Sequence, residues 1–271
     1  MSTDRTTPMT SKLAPPTPSQ ATGTLYLVPA PLDFGCTEVM ALDASMPRGT
    51  LEIAAGISHW VCENAKSTRA YLKRIGESYP LCLPIQSQQL QELPREVHKK
   101  GDHSGGFDAR YLLQPALDGQ SMGLISEAGM PAVADPGSSV VRAAHDLGLA
   151  VVPLVGPVSL LLALAASGLN GQSFAFVGYV PAAPAERAQK IRELESLALK
   201  TGQTQIFIET PYRNTALLQT LLQSLQHNTR LATASGLTLS RAQCHSDVVK
   251  NWKHKPWALD NSTPTVFCIG R

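Results

Sequence analysis

Short apolar runs alternate with helical stretches along most of the chain, and this alternation most constrains how the chain can fold. Strands buried in a parallel sheet are near-continuous apolar runs, and the helices that connect them cover both faces of the sheet. The sequence therefore predicts an α/β fold with a mostly parallel sheet. The strand-like runs lie at residues 25–28, 60–62, 81–85, 122–125, 150–154, 174–177, 206–208, 231–234 and 266–269.

Proline and glycine residues mark the ends of the predicted helices. Asp135 and Pro136 suit the N-cap and the first position of a helix that Gly148 would end. A second helix is predicted to begin at Thr210 and Pro211 in the same way. Two further helices are predicted over residues 157–167 and 184–200.

The length of the chain predicts two domains, since 271 residues compare with roughly 150 per domain. A turn at residues 155–157 separates the two groups of strand-like runs. We therefore expect an N-terminal α/β domain over residues 24–154 and a C-terminal α/β domain over residues 155–271. Residues 1–23 combine prolines with Ser and Thr and lack aromatic residues, so we expect a disordered tail that is dispensable for folding.

Composition limits the partners and the compartment. The formal net charge is +2, so contact with nucleic acid requires a local basic patch. The five cysteines are odd in number and show no CxxC spacing, which argues against a disulfide framework or a zinc site and favours a reducing compartment. We expect a cytoplasmic protein without a metal ion. Proline and glycine interrupt the uncharged stretch between Asp146 and Glu186, so we expect no membrane span.

The most informative segment for function runs from Gly123 to Gly137. An apolar run ends at Ser126 and Glu127, and a loop rich in Gly, Pro and Ala follows. Ligands of α/β sheets bind beyond the carboxyl ends of strands, where a carboxylate can accept hydrogen bonds from a hydroxyl or ammonium group. Small residues at this point let the backbone approach a ligand closely. The alternative is an ordinary strand-to-helix connection.

Three motifs resemble a known family. They are SEAGMPAVADPG at residues 126–137, VVPLVGPVSLLLALAASGL at 151–169 and FVGYVP at 176–181. Together they closely resemble the tetrapyrrole-methylase-type S-adenosylmethionine (SAM) methyltransferases, and within them the RsmI branch of small-subunit rRNA cytidine 2′-O-methyltransferases. That branch typically shows S-D-A-G-T-P-x-x-S-D-P-G, in which Glu127 replaces the Asp and Met130 the Thr. The resemblance extends from about residue 24 to residue 271.

The resemblance implies a homodimeric SAM-dependent methyltransferase with SAM in a cleft between two α/β domains, no metal, and rRNA or the small ribosomal subunit as partner. Carried over by position, it implies that SAM contacts Pro31, Leu32, Glu127, Val133, Ser159, Leu160, Glu209 and Ala234. We also expect contacts from Ser126, Ala128 and Gly129, because they lie in the loop beyond the predicted strand. For some of these residues a structural role is the alternative. Ser159 could be a helix cap, and Val133 and Leu160 could be core residues.

Other motifs of the branch are changed in this chain. Its T-P-I-G-N is replaced at residues 30–34, its E-D-T-R at 63–66 and its E-L-T-K at 236–239. A different substrate or weak catalysis would explain these changes. Two alternatives therefore stay open: methylation of a tetrapyrrole-like or other small molecule, and a SAM-binding sensor or scaffold. No general base is identified, although Glu127, Asp33 and Lys66 are chemically suitable.

Two basic segments are candidates for contact with RNA. One is a Gly-rich loop, and the other interleaves cations with tryptophans, which suits phosphate contact with base stacking. The alternative is a solvated face with the tryptophans packed on the core. Both segments around one cavity mouth would favour an RNA substrate. The candidate residues are Arg95, Lys99 and Lys100 in the first segment, and Lys250, Trp252, Lys253 and Lys255 in the second.

Overall fold

The computed structural model describes residues 21–33, 35–100, 102, 106–254 and 257–271, without the side chains of residues 98–100. It contains two five-stranded sheets, each covered by helices, which agrees with the predicted α/β class. The expected disordered tail lies almost entirely outside the described residues. The proposed domain boundary at residue 155 falls between the two sheets and stays a prediction.

The N-terminal sheet is entirely parallel, with the strand order β3-β2-β4-β1-β5. Its central strand β4 is fully buried, as expected for a continuous apolar run. The strands are β1 (Thr24–Leu27), β2 (His59–Cys62), β3 (Gln89–Glu92), β4 (Met122–Ile125) and β5 (Ala150–Pro153).

Helices cover both faces of the N-terminal sheet. On one face Leu51, Leu72 and Trp60 share a core cluster, and on the other Leu113, Val140 and Leu124 share a second one. This arrangement leaves the carboxyl edge of the sheet open for a site. The helices are α1 (Arg48–Ala55), α2 (Ala65–Gly76), α3 (Arg95–Lys100), α4 (Gln114–Leu117) and α5 (Ser138–Asp146).

The C-terminal sheet is mixed, with the strand order β6-β7-β10-β8-β9. Only β6 and β7 pair in parallel, so the expectation of a mostly parallel sheet holds for the first sheet alone. The loop at residues 236–242 between β8 and β9 is too short for a parallel crossover, which needs a dozen or more residues. The strands are β6 (Phe174–Tyr179), β7 (Thr204–Glu209), β8 (Arg230–Ser235), β9 (Gln243–Val248) and β10 (Thr265–Gly270).

Helices also cover both faces of the C-terminal sheet. Leu160 and Leu164 pack with Ile206 and Val266 on one face, while Ile191, Leu217 and Trp252 pack with Phe207 and Phe267 on the other. Within the described ranges, no helix is both long and apolar enough to cross a membrane. The helices are α6 (Ser159–Ser167), α7 (Pro184–Thr201), α8 (Asn214–Ser224) and α9 (Val249–His254).

Two local predictions are wrong, and strand β9 was missed. The run at residues 81–85 is not a strand, because Pro84 interrupts it, and a 3-10 helix over Ile85–Ser87 precedes the true strand β3. Strand β9 was not predicted, because it lies at a sheet edge and its sequence QCHSDV is mostly polar. Helix α5 begins at Ser138 rather than at Asp135 and Pro136, since Gly137, with φ 133°, occupies the N-cap position.

Candidate active site

The loops that follow β1 and β4 meet at the centre of the carboxyl edge of the N-terminal sheet. From β1 the chain passes to one side of the sheet, and from β4 it passes to the other, so these adjacent strands form the crevice where open α/β sheets bind ligands. Two backbone hydrogen bonds of 2.9 Å link Ala30 and Gly129 in an antiparallel bridge. The fold therefore creates a binding crevice where the sequence placed its candidate loop.

A cavity of about 260 Å³ lies between this crevice and the C-terminal sheet. Both halves of the chain form its walls, with loops from the N-terminal sheet on one side and the ends of β7, β8 and β10 on the other. Eight of the residues expected to contact SAM line it: Leu32, Ala128, Gly129, Val133, Ser159, Leu160, Glu209 and Ala234.

The other three residues assigned to SAM lie elsewhere. Pro31 and Glu127 line a second cavity of about 440 Å³. Ser126 is buried, and its hydroxyl has no hydrogen-bond partner among the described residues. The Ala30–Gly129 bridge and its neighbouring residues lie between the two cavities, since Pro31 faces one and Leu32 the other.

The second cavity brings together two of the changed motifs. Residues 30–33 and 63–66 both contribute to its wall, beside Glu127 and helix α2. Asp33 forms an ion pair of 2.9 Å with Arg74, and Asn64 caps α2 by accepting a hydrogen bond of 2.9 Å from the backbone N–H of Lys66. Two of the three departures from the branch pattern thus lie together at the second cavity, while the third, at residues 236–239, lines the first cavity.

Backbone conformation in the loop before α5 is unusual. Gly129 has φ 71°, and a Cβ there would lie 3.3 Å from a methyl carbon of Leu32, so a side chain at this position would be strained. Ala132 and Ala134 also have positive φ, 63° and 66°, which is rare for residues with a side chain. Such strained residues cluster at functional sites.

Glu209 presents a buried carboxylate to the first cavity. Its side chain is 0% exposed. Its Oε1 lies 2.8 Å from Nη2 of Arg213 and also accepts a hydrogen bond of 2.7 Å from the backbone N–H of Thr210. Oε2 is buried and has no hydrogen-bond partner among the described residues. Because an unsatisfied buried acceptor is costly, this oxygen is suited to accept a hydrogen bond from a ligand.

Asp135 also lines the first cavity, and in the described part of the chain its carboxylate has no hydrogen-bond or ion-pair partner. Burial, followed by the negative charges of Glu63 and Glu127, raises its pKa from 3.8 to about 7. Tyr179, from the C-terminal sheet, lines the same cavity and lies within electrostatic reach of Asp135. The spacing of Asp135 and Pro136 predicted a helix cap, and this role in the cavity was missed.

Asp102 supplies the cap of helix α5. Its buried carboxylate accepts hydrogen bonds from the backbone N–H groups of Gly137 and Ser139, both 2.9 Å, and from the hydroxyls of Ser138 and Ser139. Burial alone would raise the pKa of Asp102, but these hydrogen bonds, led by those from Ser139, outweigh it and lower the pKa. The first basic segment is therefore anchored beside the cavity loop.

The two basic segments do not surround one cavity. Arg95 is exposed at the start of α3, which follows β3 at the carboxyl edge of the N-terminal sheet. Helix α9 follows β9, whose Val248 pairs with Arg230 at the far end of β8 from the cavity. A six-residue strand spans about 17 Å, so α9 begins about that far along the sheet from the cavity end of β8.

The residues of the second basic segment have different environments. Trp252 is wrongly predicted as a stacking residue, because it is 1% exposed in the core and its Nε1 donates to the carbonyl of Leu231 at 3.0 Å. Lys250 and Lys253 are exposed. Lys255, and the side chains of Lys99 and Lys100, lie outside the described residues.

Within the described part of the chain, no group of three or more His, Cys, Asp or Glu residues is placed to hold a metal ion.

Comparison with known proteins gives extended matches to one kind of enzyme. No protein-family model matches the chain. A Mesorhizobium japonicum protein named "Ribosomal RNA small subunit methyltransferase I" is 31% identical over 249 residues, covering 91% of this chain and 74% of the relative. A Vibrio cholerae protein of the same name is 38% identical over 137 residues, covering 51% of this chain and 46% of the relative. The matched region thus spans less than half of the Vibrio cholerae protein.

A solved structure supports the fold. The crystal structure of the methyltransferase CobJ matches with a TM-score of 0.53 and 17% identity, covering 92% of this chain and 94% of that chain. At this identity the match concerns the arrangement of the two sheets and their helices alone.

Proposed function

The chain belongs to the family of ribosomal RNA small subunit methyltransferase I, and from this premise we propose that it transfers a methyl group from SAM to a ribose 2′-oxygen of small-subunit rRNA in the cytoplasm. The observation that carries the proposal is the cavity of about 260 Å³ at the crevice of the N-terminal sheet, closed by the C-terminal sheet. Open α/β sheets bind nucleotide-like ligands at such crevices.

The residues of the cavity suit SAM. Leu32, Val133, Leu160 and Ala234 offer apolar walls, as small-molecule sites generally do. Glu209 offers the buried oxygen Oε2, which lacks a partner and can accept a hydrogen bond from a ligand hydroxyl or amino group. SAM, when bound, supplies a methyl group on a sulfonium. The protein's contribution is to hold the donor and the acceptor in a reactive orientation and to exclude water.

We propose that the second cavity receives the acceptor nucleotide, with the ribose hydroxyl reaching into the first cavity, where SAM and Asp135 lie. It adjoins the first across the Ala30–Gly129 bridge, and Lys66 and Arg74 provide positive charge at its wall. Because the changed motifs at residues 30–33 and 63–66 lie here, this chain would hold its acceptor through contacts that differ from those of the branch. The exposed Arg95 offers a phosphate contact at the same edge of the sheet.

We also propose that the chain forms a homodimer through the outer face of α6. Leu161 is 49% exposed and Leu162 is 39% exposed on this face. A helix that is apolar on all sides is normally buried, so a second copy of the chain is a suitable cover. Substitution of Leu161 by Glu should then yield a monomer in sedimentation analysis at micromolar concentration, and a wild-type chain that is already monomeric would contradict the proposal.

A small-molecule acceptor is the second candidate, and one observation favours it. The basic helix α9 lies at the far end of the C-terminal sheet, so the cationic surface around the cavity mouth is smaller than the sequence suggested. With a net charge of +2, the chain has little bulk attraction for RNA.

The identity of the methyl acceptor is tested by analysis of the rRNA. Small-subunit rRNA from cells with and without the gene is digested to nucleosides, and ribose and base methylation are compared by mass spectrometry. We expect one ribose methylation to disappear when the gene is absent. An unchanged rRNA, together with an unchanged affinity of the purified protein for small subunits when Arg95 is replaced by Ala, would move the assignment to a small molecule.

Binding of SAM is tested separately by calorimetry, with SAM and with its demethylated product. We expect saturable binding of both. No binding of either at millimolar concentration would contradict a SAM-dependent function of any kind, including that of a sensor.

A further inference from the structure

Four carboxylates line the two cavities, and three of them are engaged by neighbouring groups. Asp33 is paired with Arg74, and Glu209 with Arg213 and Thr210. Glu127 accepts a hydrogen bond of 3.3 Å from the hydroxyl of Ser67.

The fourth carboxylate, that of Asp135, has no hydrogen-bond or ion-pair partner in the described ranges of the chain. It is also half-buried, so it combines access from the cavity with partial shielding from water. Of the four, it is the carboxylate most available to accept a proton from a bound acceptor.

The backbone fixes the position of Asp135. Ala134, which precedes it, has φ 66°, and Gly137, which follows, is held by the carboxylate of Asp102 through a hydrogen bond of 2.9 Å. The side chain of Asp135 is thus carried by a short strained segment between an anchored helix end and the cavity. A carboxylate held in this way loses little conformational entropy when an acceptor binds.

We propose that Asp135 is the catalytic base that takes the hydroxyl proton of the acceptor during methyl transfer. This inference rests on the proposed function. The acceptor oxygen forms a bond to the methyl carbon, the carbon–sulfur bond breaks, and its electron pair stays on sulfur. The hydroxyl proton passes to a carboxylate oxygen of Asp135 and later to solvent. The positive charge of the sulfonium and the negative charge of the carboxylate are both lost, so charge is conserved.

The charges around Asp135 suit this role. Burial, Glu63 and Glu127 bring its pKa to about 7, so the basic form is accessible at neutral pH. A base is most effective when its pKa lies near the working pH. The groups that face it are Glu63 after β2, Glu127 after β4 and Tyr179 at the end of β6.

The groups considered from the sequence are less suitable. Asp33 and Glu127 are engaged as described above, and Lys66 is exposed on the surface of α2. A general base must be unprotonated and close to the acceptor hydroxyl.

The first test observes the proton directly. The carboxyl carbons of aspartate are labelled with ¹³C, and the spectra of the wild-type protein and of Asp135→Asn are compared across pH 5–9. We expect one carboxyl with a midpoint near pH 7, present in the wild type and missing in the variant. Absence of any such carboxyl from the wild-type spectrum would overturn the inference, whether or not the protein methylates RNA.

The second test separates catalysis from binding. With small ribosomal subunits as acceptor, Asp135→Asn should lower kcat by about 10²–10⁴-fold, while the affinity for SAM measured by calorimetry changes by less than about fivefold. The wild-type kcat/KM should rise with pH through a midpoint near 7, and the variant should lose this rise. A loss explained entirely by weaker SAM binding would make Asp135 a binding residue and overturn the inference.

Two further variants complete the test. Glu63→Gln removes one of the charges that raise the pKa of Asp135, so the midpoint of the wild-type profile should move to lower pH. Asp118→Asn is the matched control, because Asp118 is exposed and lies just before β4, at the opposite edge of the sheet. Its profile should equal that of the wild type. If the wild type itself methylates no RNA, the proposed function fails while the titration still decides the state of Asp135.

Discussion

The carboxylate in the cap of helix α5 and the carboxylates in the cavity beside it differ in how many of their oxygens have hydrogen-bond partners. In the cap, both oxygens of Asp102 are bonded, to the backbone and hydroxyls of residues 137–139, and the pKa of Asp102 is lowered. In the cavity, Glu209 has one oxygen without a partner, and neither oxygen of Asp135 has one within the described residues. The two regions meet within a few residues of chain.

This difference separates carboxylates that stabilise the fold from carboxylates that are available to a ligand. A carboxylate with every oxygen satisfied holds the chain in one conformation and has nothing left to offer a ligand. A carboxylate left unsatisfied in a cavity costs stability but can bind a donor or accept a proton. The comparison therefore assigns stability to the cap and function to the cavity, and the following substitutions should divide accordingly.

The largest effect on stability is expected from Asp102→Ala. The change leaves two backbone N–H groups and two hydroxyls at the start of α5 without their acceptor, and we expect a loss of about 3 kcal/mol in the free energy of unfolding. Urea unfolding followed by circular dichroism measures it. The surface change Asp118→Ala should cost less than about 0.5 kcal/mol. An equally small effect at Asp102 would mean that the cap does not hold the loop.

Glu209→Gln should act on binding instead. The side chain can keep its oxygen toward Thr210 and Arg213, while an NH₂ group replaces the acceptor Oε2 in the cavity. Loss of a charge-assisted hydrogen bond costs about 1.5–3 kcal/mol, which weakens SAM binding by roughly 10–150-fold. Calorimetry measures the affinity, and Glu186→Gln on the exposed surface of α7 is the matched control. An unchanged affinity would show that Oε2 does not face the cofactor.

The pH dependence of stability should have opposite signs in the two regions. Asp135 has a pKa of 3.8 in the unfolded chain and about 7 in the folded one, so between these values the folded protein holds more protons and its stability falls as pH rises. Asp135→Asn should therefore become more stable than the wild type by on the order of 1–2 kcal/mol near pH 8, with little difference near pH 4.

Asp102 provides the internal contrast for this measurement. Its pKa is lowered, so its contribution is present above pH 3.8 and is lost as the pH falls through its folded pKa. Urea unfolding at a series of pH values for the wild type and both variants separates the two terms. A difference between Asp135→Asn and the wild type that does not vary with pH would show that Asp135 titrates normally.

The sequence predicted strands that are apolar runs, including the edge strands β5 and β6, and missed strands that are polar. The apolar runs of β1, β2 and β4 follow directly from burial on both faces of the sheet. The edge strands β3 and β9 carry polar residues because one side of each faces solvent, and nothing in their composition distinguishes them from loops.

The site was only partly predictable for a related reason. Eight of the residues expected to contact SAM line the cavity. The contact between Asp102 and the start of α5 joins residues 35 positions apart, and local spacing cannot reveal it. Asp135 followed by Pro136 is typical of a helix N-terminus, so the sequence predicted a cap and not a cavity residue at Asp135. Trp252, placed among lysines, resembled a stacking residue until its burial in the core was known.

The smallest effect is expected from relieving strain in the cavity loop. Ala134 has φ 66°. In this conformation a residue with a side chain is strained by roughly 1–2 kcal/mol, and glycine is not. Glycine, however, lowers the stability by about 0.5–1 kcal/mol because it has more conformational freedom in the unfolded chain. Ala134→Gly should therefore stabilise the protein by about 0.5 kcal/mol. The same substitution at Ala188, inside α7, should destabilise it by about 0.5–1 kcal/mol, because that residue is already helical. Thermal unfolding measures both. If both substitutions lowered the stability by the same amount, the backbone of the cavity loop would not be strained at Ala134. The difference between the cap and the cavity loop would then concern only their carboxylates.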